Sequence, residues 1–300
     1  MPSWQSYIVH PVLRMFVKRK LEKAFTPFQA RAAFGGHPLP VAPGVSFTAG
    51  TIGGVQGEWA QANASFAGVM LYLHGGGYFA CSPVTHRPIT GGFARHGFRV
   101  FAPKYRLAPE HPFPAAVDDA LACYRGLLAA HEAPRLVVAG DSAGGGLALA
   151  MLLAAREAGL PLPAALVLFS PWTDLAATGA SIQANAARES MLVGARMQEV
   201  AALYLQGASP ETPLASPFYG DLAGLPQTLI QVSEREILLD DSRRVAAKMN
   251  AAGGRAELSI WPNLPHAWQI DQAFLPEARQ ALAQAADFAK SALASEAAPA

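Results

Sequence analysis

The stretch Val137–Ala155, VVAGDSAGGGLALAMLLAA, decides how the chain is read. It opens on a β-branched pair, breaks at Gly140-Asp141-Ser142-Ala143-Gly144 and continues as an uncharged helical run. Three readings of Ser142 compete. A serine ahead of a helix is ordinarily an N-cap. A phosphate-binding loop needs GxxxxGK[ST], and no lysine follows here. The third reading is a nucleophile on a strained strand-to-helix turn, G-x-S-x-G. There the residues two before and two after the serine must lack bulk so that strand and helix can approach. Gly140 and Gly144 hold those positions.

Working outward, apolar runs recur at Val69–His74, Phe98–Pro103, Arg135–Gly140, Ala165–Ser170, Thr228–Ser233 and Ala256–Pro262. Most are continuous rather than alternating, as strands buried on both faces should be. Helical patterns lie between them at Ala115–Ala130, Ala143–Ala158, Asp240–Ala252 and Pro276–Leu293. Strands alternating with helices predict an α/β fold, a mostly parallel sheet with helices on both sides. Two stretches break the alternation: residues 1 to about 40, and Ala176 to about Gly220. They are expected to meet above the sheet as a cap. No repeat or linker divides the chain.

Composition narrows the function classes. Of 300 residues, 51% are hydrophobic and 15% charged, which is enough apolar material for a large core. The 23 basic and 22 acidic side chains leave a net charge of +1, so no nucleic-acid partner is expected. Cys81 and Cys123 give no disulfide framework and read as small buried thiols in a reducing compartment. The first residues, MPSWQSYIVHPVLRMFVKRKLEK, show no secretory leader, and a cytoplasmic location is expected. In that segment Trp4, Ile8, Val12, Met15, Phe16 and Leu21 recur near helical spacing beside Lys18, Arg19, Lys20 and Lys23. The expected role is a surface helix packed on its own protein, with a helix lying on a membrane as the alternative. No apolar run is long enough to span a bilayer, so stable insertion is not expected. The tail SALASEAAPA is expected to fray. No His/Cys cluster suggests a metal, and no cofactor is expected.

A nucleophilic serine needs a base, a group to orient it and donors for an oxyanion. His74-Gly75-Gly76-Gly77 follows a strand, and three glycines let backbone N–H groups approach a ligand closely. With Ala143, which follows the serine, they form the candidate oxyanion hole, Gly75 shaping the loop. His74 reads as an anchor of that loop. His266, in WPNLPHAW after the last strand, is the candidate base. The acid should lie in TLIQVSEREILLDDSRR, which offers Glu234, Glu236, Asp240 and Asp241. Asp240 and Asp241 stand where a helix begins, and capping accounts for at least one of them. Position alone favours Glu236 slightly. Asp141 should point away from the reaction. Tyr78, Phe79, Trp172, Phe218 and Trp268 are candidates to line the pocket.

From about Leu71 to Trp268 the sequence resembles the bacterial hormone-sensitive-lipase family of α/β-hydrolases. The resemblance rests on HGGG (His74–Gly77), YRLAPEHPFPAAVDDA (Tyr105–Ala120), GDSAGG, SPWTDL (Ser170–Leu175) and PHAW (Pro265–Trp268). It implies an α/β-hydrolase fold and hydrolysis of short-chain acyl esters by a serine, a histidine and an acid in a D-P-L-x-D segment. Here that segment reads Glu236-Ile-Leu-Leu-Asp240, without the proline and with Glu in first place, which selects Glu236 and leaves Asp240 in reserve. The resemblance also implies a cap of residues 1–45 and 176–220 over a core of 46–175 and 221–295, and a homodimer. Two alternatives stand beside the esterase. One is an amide or N-acetyl deacetylase with the same triad. The other is a receptor without turnover: the plant gibberellin receptor resembles this family but has lost the triad histidine, whereas His266 is present here.

Overall fold

The computed structural model describes residues 2–24, 26–34, 39–41 and 43–297. Eight strands form one sheet: β1 (Val45–Ile52), β2 (Val55–Ala62), β3 (Gly68–Leu73), β4 (Phe98–Pro103), β5 (Leu136–Asp141), β6 (Ala165–Phe169), β7 (Gln227–Ser233) and β8 (Ala256–Trp261). Their order is β1-β2-β4-β3-β5-β6-β7-β8. From β4 to β8 every pair is parallel, while β1–β2 and β2–β4 are antiparallel. Every residue of β3, β5 and β6 is buried, as their unbroken apolar runs required.

The period of two along each strand divides the core. Leu71, Leu73 and Val138 face the helices Ala115–Leu128, Ala143–Glu157 and Leu239–Ala251, through Val117, Leu147 and Val245 among others. Met70, Tyr72 and Val137 face the helices Arg87–Arg95 and Pro276–Ala297, through Phe93, Leu282 and Ala285. The last helix runs past Leu293 to Ala297, so helix occupies most of a tail expected to fray.

The hairpin β1–β2 and the helix Arg87–Arg95 were not foreseen. The hairpin strands are half-buried and rich in Gly, Thr and Gln, so their apolar signal is weak. They join through Gly53 and Gly54 at φ 58° and 81°, the left-handed pair that a two-residue hairpin turn demands. The helix RPITGGFAR carries two glycines for a packing reason. A Cβ on Gly92 would stand 2.2 Å from Leu282 Cδ2, so the two helices approach too closely for a side chain.

The two irregular stretches meet each other. Arg14 donates to the carbonyls of Ala187 (2.6 Å) and Arg188 (3.2 Å), Lys18 to that of Glu189 (2.9 Å), and Arg196 to that of Leu21. The N-terminal helix does pack on its own protein, but with the opposite face from that expected. Ser6, Val9, His10 and Leu21 are buried, whereas Trp4, Ile8, Val12, Met15 and Phe16 look outward. The inward side is fixed by hydrogen bonds rather than by the apolar stripe. His10 Nδ1 pairs with Ser190 Oγ at 3.0 Å, its Nε2 with the Asn263 carbonyl at 3.3 Å, and Asn263 Nδ2 donates to Ser6 Oγ at 3.0 Å.

Phe93 is fully buried on the sheet face away from Ser142. Its ring lies parallel to Phe169 (centroids 6.1 Å apart) and edge-on to Phe98 (6.0 Å). Phe93→Ala is expected to cost about 3–5 kcal/mol. A urea titration should show a lower midpoint at unchanged slope.

Candidate active site

Ser142 occupies the residue between β5 and the helix Ala143–Glu157 at φ 53°, ψ −125°. A Cβ on Gly140 would meet the Gly144 carbonyl oxygen at 2.4 Å, and one on Gly144 would meet the Leu73 oxygen at 2.1 Å. No larger residue fits either place, so the two glycines do the steric work their spacing promised. The turn is braced by its backbone: Ser142 N–H donates to Phe169 O (2.8 Å), and Ser142 O accepts from Trp172 N–H (2.9 Å) and Gly145 N–H (3.0 Å). The hydroxyl makes no capping hydrogen bond to the helix, which removes the N-cap reading.

It pairs instead with the histidine. His266 Nε2 lies 2.8 Å from Ser142 Oγ, and His266 Nδ1 lies 2.6 Å from Glu236 Oε2. The other Glu236 oxygen accepts from the Ser233 N–H (2.7 Å) and the Ser170 hydroxyl (2.8 Å). All three side chains are buried. Burial opposes charge on the His266 ring, but the hydrogen bond and negative charge of Glu236 outweigh it, and the pKa is raised above the ordinary 6.5. The other carboxylates of the acid segment are engaged elsewhere. Glu234 faces Arg188 at 3.2 Å, Asp240 accepts from the Ser181 N–H at 2.9 Å, and Asp241 accepts from the Thr173 and Asp174 N–H groups at 2.8 and 2.9 Å.

The glycine loop packs against the turn through Asp141. Its Oδ1 accepts from Tyr72 Oη (2.7 Å) and the Gly75 N–H (2.9 Å), and its Oδ2 lies 3.2 Å from His86 Nε2. Asp141 is thus structural, and Gly75 is not a free donor: its N–H is taken, and a Cβ there would strike Asp141 Oδ2 at 2.2 Å. Among the described residues, the N–H groups of Gly76, Gly77 and Ala143 have no protein acceptor. Gly76 (φ 118°) and Gly77 (φ 61°) adopt conformations that favour glycine. His74 is the anchor expected, with Nδ1 2.7 Å from Gly75 O and its ring stacked on Tyr105 at 4.3 Å. Burial, aided by His86, lowers its pKa to about 3 and keeps the ring neutral.

Two supports were not foreseen. Ser170 holds Glu236; its only signal was a place in the SPWTDL string after β6. Arg31, on the helix Pro27–Phe34, donates to Phe79 O (2.5 Å), Ala108 O (2.7 Å) and the Glu110 carboxylate (2.6 Å). It ties the N-terminal stretch to the glycine loop and to the loop carrying Glu110.

Above Ser142 lies a cavity of about 370 Å³ whose lining includes Phe34, Phe79, Trp172, Val193, Met197 and Val200. Ser142, His266, Gly76 and Gly77 also line it, and residues of both irregular stretches contribute to its walls. Of the aromatic candidates, Phe79 and Trp172 line the cavity. Tyr78 is buried against Tyr204 (3.9 Å), Trp268 against Trp261 (5.8 Å), and Phe218 lies under Arg244 (4.3 Å). Among the described residues no three His, Cys, Asp or Glu side chains gather in a metal-holding group.

Residues 70–270 match the family described as alpha/beta hydrolase fold. The chain is 45% identical to an acetyl-hydrolase of Streptomyces hygroscopicus, over 88% of this chain and 87% of that one. It is 34% identical to an esterase of Acinetobacter venetianus, over 96% and 97% of the two chains. A crystal structure of an esterase of the bacterial hormone-sensitive lipase family superposes with a TM-score of 0.91 at 42% identity, covering 98% of this chain and 99% of that one. Sequence, sheet order and relatives therefore converge: the chain belongs to the bacterial hormone-sensitive lipase family of α/β-hydrolase-fold esterases.

Proposed function

We propose that the protein hydrolyses short-chain acyl esters through Ser142, His266 and Glu236 by way of an acyl-enzyme. The observation that carries this is the unbroken chain of hydrogen bonds from Glu236 through His266 to Ser142 Oγ, opening into an apolar cavity beside unpaired N–H groups. His266 Nε2 takes the Ser142 proton as Oγ attacks the ester carbonyl. The electron pair of the carbonyl moves to oxygen, where the N–H groups of Gly76, Gly77 and Ala143 receive it. The imidazolium, stabilised by Glu236, then protonates the departing alcohol. Water repeats the sequence on the acyl-enzyme, with His266 again as base, and releases the acid. The division into a core of residues 46–175 and 221–295 and a cap of 1–45 and 176–220 belongs to the same proposal. So do the homodimer and the cytoplasmic location, which sedimentation velocity and cell fractionation would test.

Turnover of p-nitrophenyl butyrate tests the nucleophile. Ser142→Ala is expected to lower kcat by about 10⁴-fold or more. It should also abolish labelling by a fluorophosphonate, with the thermal transition kept. Wild-type labelling without ester turnover would point to an amide or other acyl substrate; absence of both would favour a binding protein.

The pH profile tests the acid. Protonated His266 accepts no proton, so kcat/KM should fall as pH drops through its pKa. The raised pKa puts the midpoint of that fall above 6.5. Glu236→Gln removes the charge that raises it while burial still lowers it. Its midpoint should move to lower pH and kcat drop by about 10⁴-fold. An Asp240→Asn variant with that profile, and a Glu236→Gln variant without it, would reassign the acid.

Gly76→Ala tests the oxyanion hole. The added Cβ would meet Ala80 O at 2.3 Å. Loss of the donor geometry should cost about 10²–10³-fold in kcat, with KM moved far less.

A further inference from the structure

The helical segment from Trp4 to Lys23 turns its apolar side to solvent. Trp4 is 65% exposed, Tyr7 61% and Phe16 57%, with Ile8, Val12 and Met15 beside them. These residues form one outer stripe at spacings of three and four. The chain widens into a π turn over Arg14–Lys18, which resets the helical phase. Leu21 turns inward, and Arg19, Lys20 and Lys23 prolong the outer stripe. The stripe is widened by Phe274, whose ring meets Trp4 edge-on at 6.1 Å, and Phe28 on the following helix is exposed as well.

Charge on this surface is one-sided. The segment carries Arg14, Lys18, Arg19, Lys20 and Lys23 against the single carboxylate of Glu22, in a chain whose net charge is +1. Arg14 and Lys18 donate inward to backbone carbonyls, while Arg19, Lys20 and Lys23 have no partner among the described residues. A second copy of the chain would bring the same excess of cations, with only its own Glu22 to set against them. A surface that is apolar inside and anionic outside matches both ends of the stripe. No helix among the described residues is long and apolar enough to cross a membrane, so the contact is one of lying on the surface.

We propose that this face docks the protein on an anionic lipid surface. Trp4, Ile8, Val12, Met15 and Phe16 enter the interface, and Arg19, Lys20 and Lys23 meet headgroup phosphates. Leu21 of this segment and Pro27 of the following helix line the cavity, so the docked face borders the space above Ser142. Docking does not depend on the proposed ester hydrolysis and is read without it.

The experiment is flotation of the full chain with vesicles of phosphatidylglycerol and phosphatidylcholine, against phosphatidylcholine alone. Binding is expected to the anionic vesicles, much less to the neutral ones, and to weaken in 0.5 M salt. Bound protein should show a blue-shifted tryptophan emission that Trp4→Phe removes. Reversing the three cations (Arg19→Glu, Lys20→Glu, Lys23→Glu) should lower partitioning by about a hundredfold or more, at roughly fivefold for each cation removed. The pair Ile8→Ser and Phe16→Ser should lower it about tenfold or more. Both variants should keep the wild-type thermal transition and turnover of a soluble ester. Absence of binding to anionic vesicles, or binding that neither variant changes, overturns the proposal. So does a dimer that forms with rising concentration and that Ile8→Ser with Phe16→Ser dissociates, which would give the face to a second copy.

Discussion

The crossing of β5, β3 and the helix Ala143–Glu157 at Gly140 and Gly144 is the constraint on which the rest depends. A left-handed conformation at a residue with a Cβ costs about 1–2 kcal/mol. Ser142 adopts it because the backbone hydrogen bonds on both sides leave no alternative path from strand to helix. The strain lifts Oγ out of the helix's own hydrogen bonding and turns it to His266. Had Ser142 capped the helix, its oxygen would be spent on a backbone N–H and unavailable to a base.

A second consequence follows from the residue before it. Asp141 is buried, and a buried carboxylate is tolerable only when its oxygens are satisfied. Tyr72, Gly75 and His86 satisfy them, and each comes from an element that must then sit still. The donor from Gly75 fixes the start of the glycine loop relative to the turn that carries Ser142. The hydrogen bonds that satisfy one buried carboxylate thus tie the glycine loop to the turn that carries Ser142. Arg31 holds the far end of the same loop at Phe79 O, from a helix that also lines the cavity. Loosening that helix therefore loosens the loop.

Much of this was legible in the sequence because it rests on local rules. Unbroken apolar runs name the parallel strands, and the glycines flanking Ser142 name the turn. That Ser142 and His266 should come together can be read from their places after strands. Glu236 was harder, since four carboxylates crowd one loop. What separates them in space is who else claims them: Asp240 and Asp241 answer to backbone N–H groups of the segment after β6, more than 55 residues away in the chain. No spacing rule carries that information. The hairpin β1–β2 was missed for a related reason: a half-buried edge pair needs only weak alternation. The helix Arg87–Arg95 was missed because its glycines, unfavourable for a helix alone, are explained only by Leu282.

The N-terminal helix marks where periodicity misleads. Its apolar stripe predicts which side is distinct, not which side faces inward. The inner side is chosen by hydrogen bonds, which are directional where apolar contact is not. Ser3 binds Glu277 through its N–H and hydroxyl at 2.6 and 2.9 Å, while Ser6 and His10 bind the loop that holds Asn263. These contacts admit one seating, and that seating leaves the stripe outside. Asn263 is three residues from His266, and Arg235, one residue before Glu236, donates to its side chain at 3.2 Å. The polar side of the helix therefore braces both loops that present His266 and Glu236. An outer contact that steadied the helix would steady those loops as well, so that His10 and Asn263 join the exposed face to the centre of the molecule.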